Sequence, residues 1–266
     1  MSILIKTSQQ IQKMRIAGRL AAETLEIIKP YVVLGVSTSE LDRICADYIT
    51  KKQKAISACF GYHGYPKSVC ISVNEVVCHG IPSDKKILKD GDIVNIDVTV
   101  IKDGWHGDTS KMFIIGKPTI LGKRLCQITL ESLYLAIKMI KPNIRLRTIG
   151  IELQKFIEGH GFSVVREYCG HGIGKMFHEE PKILHYNTYD GGIILKKGMT
   201  FTIEPMVNAG HFQIRTMRDG WTVKTKDHSL SAQYEHTIAV TDNGCEVLTL
   251  RKEERELPRI IVHKNM

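Results

Sequence analysis

The chain has 266 residues, of which 43% are hydrophobic and 24% charged, a composition typical of soluble globular proteins with one large or two ordinary domains. No apolar run approaches the roughly 20 residues that span a bilayer, so we expect a cytoplasmic protein whose seven cysteines, without a C-x-x-C pair, form neither disulfides nor a thiolate zinc site. The net charge of +9 fits a polyanionic neighbour such as ribosomal RNA or DNA, but a generally lysine-rich proteome explains it equally well.

The first 55 residues predict two helices. Apolar residues recur every three to four positions in a stripe that stops before Pro30 and consists of Ile11, Met14, Ala17, Ala21, Leu25 and Ile28. Gly18 interrupts this stripe and costs the helix roughly 1 kcal/mol relative to alanine. The run at residues 37–40, Ser-Thr-Ser-Glu, is a capping box, so a second helix is expected to begin there.

Strands and helices alternate along the rest of the chain. Short β-branched runs broken by glycine and proline predict strands and loops over residues 55–77. Residues 120–140 and 146–159 predict a second pair of helices, and short strands then continue to about Leu250. The pattern therefore predicts an α+β protein with one helix pair in each half.

Two segments of the chain resemble each other. Residues 88–97 (LKDGDIVNID) align without gaps on residues 195–204 (LKKGMTFTIE). They have the leucine, a lysine, the glycine and the penultimate isoleucine in common, and the last residue of each segment is an acid. Upstream of each segment lies a His-Gly-Ile tripeptide, at His79 and at His171. Two matches in the same order indicate a duplicated α+β half, with a shared site on the pseudo-twofold axis.

No Ser-, Pro- or Gly-rich linker separates the two halves. We therefore predict a single domain over residues 1–266, with halves of about 5–118 and 119–250. Residues 251–266 have mixed charge and are expected to form a surface tail.

An Asp-Gly pair at residues 103–104, flanked by β-type runs, predicts a hairpin with a two-residue turn. The ladder then puts Thr99 opposite Asp108, and Asp97 shares the face of Thr99 because side chains alternate along a strand. Asp97 and Asp108 are thus diagonal neighbours with Cα atoms roughly 7–8 Å apart. Two carboxylates among apolar neighbours repel each other unless a cation lies between them. Two solvated acids on an exposed face would also fit the hairpin.

The second half adds two acids in apolar surroundings. Glu204 ends an apolar strand and is followed by Pro205, while Glu235 lies inside a predicted strand that ends at the turn of residues 242–244. With His171 the chain offers four carboxylates and one imidazole, a set that suits Mn²⁺, Fe²⁺ or Co²⁺, with Zn²⁺ also compatible. Four carboxylates exceed what one transition metal needs, which points to two ions that share bridging carboxylates.

Residues 168–181, YCGHGIGKMFHEEP, resemble the signature of the type I methionine aminopeptidases. The spaced series of acids and histidine is similar to that family's set of metal ligands: Asp97, Asp108, His171, Glu204 and Glu235. The resemblance extends from about residue 5 to 250. It implies the pita-bread fold, in which two pseudo-twofold-related α+β halves, with a curved antiparallel sheet and outer helices, surround a dinuclear metal site.

Carried over by position, the resemblance implies how two divalent ions (Co, Mn, Fe or Zn) would be held. Asp97 would chelate one ion, and His171 with Glu204 would hold the other. Asp108 and Glu235 would bridge the pair. Water activated by this dinuclear centre would attack the first peptide bond of the substrate.

The family also has two histidines that are not metal ligands, and His79 and His178 match them. They are expected to bind substrate and to stabilise the developing tetrahedral centre. Glu204 is the candidate for transferring a proton to the leaving amine. These three residues form the expected catalytic set.

The resemblance further implies a methionine pocket with polarisable and aromatic walls, made of Cys59, Tyr62, Tyr65, Cys70, Phe177 and Trp221. Cys59 and Cys70 can also be interpreted as ordinary buried cysteines. Asn74 and Ser231 match positions whose backbone carbonyls hold one monovalent cation in related enzymes.

The implied activity is that of a methionyl aminopeptidase. It would act in the cytoplasm on the N-termini of nascent polypeptides and remove the initiator methionine cotranslationally when the second residue is small. We expect a monomer without membrane contact, associated with the ribosome through its basic surface if the excess charge is specific.

Other members of the same fold family provide alternatives. Aminopeptidase P, prolidase and creatinase normally carry an extra N-terminal domain, whereas only two helices precede the first catalytic segment here. Type II methionine aminopeptidases insert a helical subdomain for which the interval between His171 and Glu204 has no room. A catalytically inactive member that binds nucleic acid or histones would lack metal ligands, and all five are present.

Overall fold

A computed structural model describes residues 3–188 and 192–255 of the chain. Its α-helices are α1 (Ser8–Ile28), α2 (Thr38–Asp47), α3 (Ile120–Met139), α4 (Leu146–Gly159) and α5 (Lys252–Arg255). Shorter helical turns occupy Lys29–Tyr31, Tyr48–Lys52 and Tyr62–Gly64. None of the helices within the described ranges is long and apolar enough to cross a membrane.

The strands are short except for one pair. The first half contains β1 (Ile56–Ser57), β2 (Cys70–Val73), β3 (Val76–Cys78), β4 (Ile93–Lys102) and β5 (Trp105–Ile114). The second contains β6 (Ser163–Val164), β7 (Gly170–Gly172), β8 (Glu179–Ile183), β9 (Thr200–Ile203), β10 (Met206–Asn208), β11 (Ile214–Thr216), β12 (Val223–Thr225), β13 (Ser231–Gln233), β14 (His236–Val240) and β15 (Cys245–Val247). The predicted α+β class is confirmed.

Both N-terminal helices form where the sequence predicts them, and their ends show how each begins. Thr7 caps α1: its hydroxyl accepts the Gln10 N–H at 3.3 Å, and the Gln10 side chain accepts the Thr7 N–H at 2.9 Å. The Thr-x-x-Gln pattern at residues 7–10 is thus a second capping box in the N-terminal region. Ser37 caps α2 by accepting the Glu40 N–H at 3.1 Å, but the Glu40 carboxylate pairs with Arg43 instead of closing the box.

All strand pairings within the described ranges are antiparallel, and they form four groups of strands. Strand β4 pairs with β1, β2 and β5, while β15, β14, β9, β7 and β8 lie side by side in that order. A third group, β13-β10-β6, belongs to the second half, and the fourth, β11-β12-β3, joins second-half strands to a first-half strand. The β4–β5 hairpin has the predicted register, with Thr99 opposite Asp108.

The repeat seen in the sequence is also a repeat in backbone conformation. Gly91 and Gly198, at matched positions, both have φ of +85°, a conformation that glycine adopts without strain. The Gly91 N–H donates to the Ile115 carbonyl at 2.8 Å, and the Gly198 N–H donates to the Val240 carbonyl at 3.0 Å. Each half therefore turns from its repeat segment into a strand by the same hydrogen-bonded arrangement.

Two large hydrophobic cores correspond to the two helix pairs. One packs α1 and α2 against β2, β4 and β5, with Leu25 and Ile96 fully buried. The other packs α3 and α4 against β9, β13 and β14, with Leu153 and Phe201 fully buried. Each helix pair thus covers one side of its own strands, and strands β4 and β5 of the first half contact β13 and β14 of the second.

The C-terminal segment differs from the prediction. The sequence places residues 251–266 on the surface, but Arg251 is only 2% exposed and α5 follows it, so the surface location is wrong for Arg251. The side chain is buried because carbonyl, hydroxyl and carboxylate groups surround its guanidinium. Residues 256–266 lie outside the described residues.

Gly18 lies where α1 contacts the backbone of the last strand region. A Cβ atom at this position would lie 2.6 Å from the Leu248 carbonyl oxygen, so the glycine allows a close approach of two backbones. We expect Gly18→Ala to lower the free energy of unfolding by about 1–3 kcal/mol through overpacking, although alanine is the better helix former. Denaturant titration measures this change.

The matched control is Gly159→Ala, at the end of α4, where an added Cβ would meet no atom within 4 Å. That variant should be neutral or slightly stabilising. A Gly18→Ala protein as stable as the Gly159→Ala protein would contradict the close approach of α1.

Candidate metal centre

The β4–β5 hairpin brings two carboxylates to the inner face of the first half. Asp108 is 4% exposed, and its Oδ1 accepts a hydrogen bond from the Thr99 hydroxyl at 2.8 Å. Asp97 is partly exposed, but its Oδ1 is buried and has no hydrogen-bond partner among the described residues. A buried carboxylate oxygen without a donor is costly, so the site as built has an acceptor to spare.

The second half contributes three residues from separate segments of the chain. His171 is the middle residue of β7, and Glu204 directly follows β9, as the repeat predicts. Glu235, however, lies between β13 and β14 and not inside a strand. Its N–H donates to the Ser110 carbonyl at 3.1 Å, and its own carbonyl accepts from the Thr109 hydroxyl at 2.7 Å. These bonds to β5 replace those of a regular ladder.

His171 is oriented for coordination by one nitrogen. Its Nδ1 lies 2.9 Å from the Gly172 carbonyl oxygen, an acceptor, so Nδ1 carries a proton and Nε2 is the nitrogen that a metal ion could bind. Nε2 is 3.7 Å from both Asp108 Oδ2 and Glu204 Oε1. Donor atoms of Asp108, His171 and Glu235 all lie within 4.8 Å of one another, a spacing suited to a metal ion.

The electrostatics of this cluster favour bound cations. Burial, together with the negative charge of Asp108, raises the pKa of Asp97 and of Glu235 well above the ordinary carboxyl values. Burial also raises the pKa of Glu204 to about 7, although His171 opposes the shift. Carboxyl groups that resist ionisation so close together are stabilised as anions by divalent ions between them. The residues present therefore fit a metal centre.

Two further histidines lie in the same cavity. Burial lowers the pKa of His79 to about 4, and its backbone adopts a φ of +54°. His178 is more open, but its Nδ1 lies 2.8 Å from the Tyr62 hydroxyl, and partial burial with repulsion from His171 lowers its pKa. Both rings are therefore neutral near pH 7, and each can donate one hydrogen bond and accept another.

One wall of the cavity is apolar. Cys59, Tyr65 and Cys70 form a buried cluster against which Phe177 and Trp221 pack. Tyr65 is held by a hydrogen bond from its hydroxyl to the Gly80 carbonyl at 2.9 Å, so its ring is fixed in the wall. The two cysteines thus line a cavity, which favours the pocket interpretation over that of ordinary core residues.

The structure places every predicted catalytic, metal and pocket residue around one cavity of about 450 Å³. It adds residues that the sequence analysis did not select: Glu167, Tyr168, Cys169, Glu179, Glu180, Lys182 and Met206. It also shows that Thr202 and Gln233 donate to the two oxygens of Glu204, at 2.6 and 3.1 Å. Thr202 could have been found from strand alternation, since it precedes Glu204 by two positions.

Asn74 and Ser231 are brought together away from this cavity. The Asn74 carbonyl accepts the Ser231 N–H at 2.8 Å, and Asn74 has a φ of +57°. Neither residue is among those that line the cavity. Their binding of a monovalent cation stays a prediction.

Comparison with known proteins points to one family. The sequence pattern of Metallopeptidase family M24 matches residues 12–242. The methionine aminopeptidases of Salmonella typhimurium and Escherichia coli are each 74% identical over 263 residues, which cover 99% of this chain and 99% of theirs.

Solved structures show the same likeness in three dimensions. The methionine aminopeptidase from Rickettsia prowazekii has a TM-score of 0.91 at 52% identity, covering 94% of this chain and 100% of that one. A prolidase from Pyrococcus horikoshii has a TM-score of 0.74 at 23% identity, covering 93% and 64%, a likeness of fold alone.

The raised pKa of Glu235 predicts a conflict between stability and metal binding. In metal-free protein, Glu235→Gln should raise the free energy of unfolding by about 1–3 kcal/mol, because the amide cannot be ionised next to Asp108. A raised folded-state pKa destabilises the protein at pH above the unfolded-state pKa, so this gain should shrink as pH falls towards the ordinary glutamate pKa of 4.5. Added Mn²⁺ should stabilise the wild type more than the variant.

Thermal unfolding with and without Mn²⁺ measures both effects. The control is Glu131→Gln on the exposed face of α3, which should change neither quantity. A metal-free Glu235→Gln protein less stable than the wild type would show that the carboxylates do not repel each other as described.

Proposed function

The chain belongs to Metallopeptidase family M24 and, within it, to the type I methionine aminopeptidases, and on this premise we propose that it removes the initiator methionine of nascent cytoplasmic proteins cotranslationally when the second residue is small. Its α+β architecture is the pita-bread fold of that family. One observation supports the proposal above all: the five candidate metal ligands and an apolar wall of cysteines and aromatic rings share one cavity.

We propose that two divalent ions occupy the centre. Asp97 would hold one and His171 with Glu204 the other, while Asp108 and Glu235 would bridge them. The buried Asp97 Oδ1 without a donor and the position of His171 Nε2 beside Asp108 and Glu204 support this assignment. When bound, the ions would supply an acidified water nucleophile and polarise the scissile carbonyl.

The surrounding residues position the substrate and move protons. Thr202 and Gln233 occupy both oxygens of Glu204, which keeps its carboxyl group oriented at the point where the leaving amine must be protonated. His79 and His178 are neutral donors at the rim of the centre, where negative charge develops on the carbonyl oxygen. Tyr62 fixes the His178 ring by its hydrogen bond to Nδ1, which leaves Nε2 for the substrate.

The apolar wall would select the first side chain. Cys59 and Cys70 present polarisable sulfur, and Phe177 and Trp221 present ring faces and edges, which suit a thioether. A charged first residue would be buried without a partner and is rejected for that reason. Polar side chains such as Glu167, Glu180 and Lys182 also line the cavity, and we expect the space beside them to favour a small second residue.

Other expectations stay predictions: a single domain over residues 1–266, a monomer, contact with the ribosome through the basic surface, and a monovalent cation near Asn74 and Ser231.

The proposal is tested by hydrolysis of short peptides with and without metal. Wild-type protein should cleave Met-Ala-Ser much faster than Met-Lys-Ser, and Leu-Ala-Ser poorly. A chelator should abolish this activity, and Mn²⁺ should restore it. Comparable rates for Met-Ala-Ser and Leu-Ala-Ser would leave a general aminopeptidase and reject the methionine assignment, and full activity after complete metal removal would reject the metal mechanism.

His79 tests the division between ligands and non-ligands. Replacing it by alanine should lower kcat by about 10²-fold or more, the scale of lost proton-transfer or oxyanion help. Metal content, measured by elemental analysis, should stay at the wild-type level. His211→Ala, at an exposed histidine outside the cavity, is the matched control and should keep full activity. Loss of metal from His79→Ala protein would instead make His79 a ligand.

A further inference from the structure

Arg251 has the largest fully buried side chain among the described residues. It does not line the cavity of the candidate metal centre. Its Nη1 donates to the Thr109 hydroxyl at 2.9 Å and lies 3.5 Å from the Ser110 carbonyl oxygen. Its Nη2 donates to Glu254, whose other oxygen accepts the Arg251 N–H at 2.8 Å. The guanidinium thus joins the C-terminal segment to β5.

Thr109 and Ser110 are the two β5 residues that hold the backbone of Glu235. The Thr109 hydroxyl donates to the Glu235 carbonyl at 2.7 Å, and the Ser110 carbonyl accepts the Glu235 N–H at 3.1 Å. Since the Thr109 hydroxyl has one proton and donates it to Glu235, it must accept from Arg251. A direct chain of hydrogen bonds therefore runs from Arg251 through Thr109 to Glu235.

The backbone of Asp108, the other proposed bridging ligand, is held where β5 meets β14. The Asp108 N–H donates to the Thr237 hydroxyl at 3.0 Å, and that hydroxyl donates to the Asp108 carbonyl at 2.7 Å. Asp108 precedes Thr109 on β5, and Thr237 follows Glu235 by two positions. The hydrogen bonds of Arg251 thus act where the first half meets the second, between the two proposed bridging ligands.

Stability alone is a poor account of this arginine. Its Nε has no hydrogen-bond partner among the described residues, and a buried ion pair is often no more stabilising than apolar residues of similar volume. What an apolar residue could not supply is a donor that orients the Thr109 hydroxyl towards Glu235. The contacts therefore indicate a role in geometry.

We propose that Arg251, held by Glu254, is a positioning residue that acts through Thr109 to set the Glu235 carboxylate relative to Asp108, and thereby the affinity of the centre for divalent metal. The inference rests on the proposed function, because it needs Asp108 and Glu235 to be metal ligands. Groups that orient metal ligands without touching the ion typically contribute about 10–100-fold to metal affinity.

The test compares Mn²⁺ affinity, from competition with a fluorescent chelator, in full-length Arg251→Met, Thr109→Val and the double variant. Each single change should weaken Mn²⁺ binding by about 10–100-fold. The double variant should bind no more weakly than the worse single variant, because the two residues act in one chain of hydrogen bonds. Thr109→Val keeps the side-chain shape and tests the inference even if Arg251→Met does not fold.

The matched control is Thr129→Val in α3, at a fully buried threonine whose hydroxyl donates only to the Leu125 carbonyl within its own helix. It should lower the stability of metal-free protein yet leave Mn²⁺ affinity unchanged. Wild-type affinity in Thr109→Val, or losses that add in the double variant, would overturn the positioning role. Failure of the wild type itself to bind any divalent metal would instead overturn the proposed function.

Discussion

Asp97, Glu204 and Glu235 line one cavity, and burial together with the negative charge of Asp108 raises the pKa of all three. Carboxyl groups in such surroundings destabilise the folded state unless positive charge compensates them. The stability of the fold must therefore come from other interactions. The two large cores supply that stability, one beneath each helix pair. The remaining features of the site follow from holding this repulsive cluster in register.

The backbones of Asp108 and Glu235 are held at the junction between the two halves. β5 and β14 meet there through threonine hydroxyls that bond to backbone groups of Asp108 and Glu235. Threonine side chains are short and restricted in χ1, so these hydrogen bonds fix the position of one strand relative to the other. A junction of this kind lets two separately packed halves hold ligands to within the tolerance of a metal site.

The proposed substrate-binding residues are supported by a buried ion pair. Lys6, near the start of the chain, forms a buried ion pair with Glu179, and Glu179 also accepts the Met176 N–H at 3.2 Å. This pair anchors the loop that carries Phe177 and His178 into the cavity. The N-terminal segment thus supports the proposed substrate-binding residues, while the C-terminal segment contacts the strand that holds the backbone of the proposed metal ligand Glu235.

Local rules were enough to predict much of this protein from its sequence. Hairpin alternation placed Asp97 and Asp108 on one face, and the glycine-marked repeat placed Glu204 at the end of its strand, because both depend on neighbours in the chain. The separation of Glu235 from its strand, the contact of Gln233 with Glu204 and the burial of Arg251 depended on tertiary structure. Each is decided by hydrogen bonds to residues far away in the sequence, and no local pattern of polarity encodes such partners.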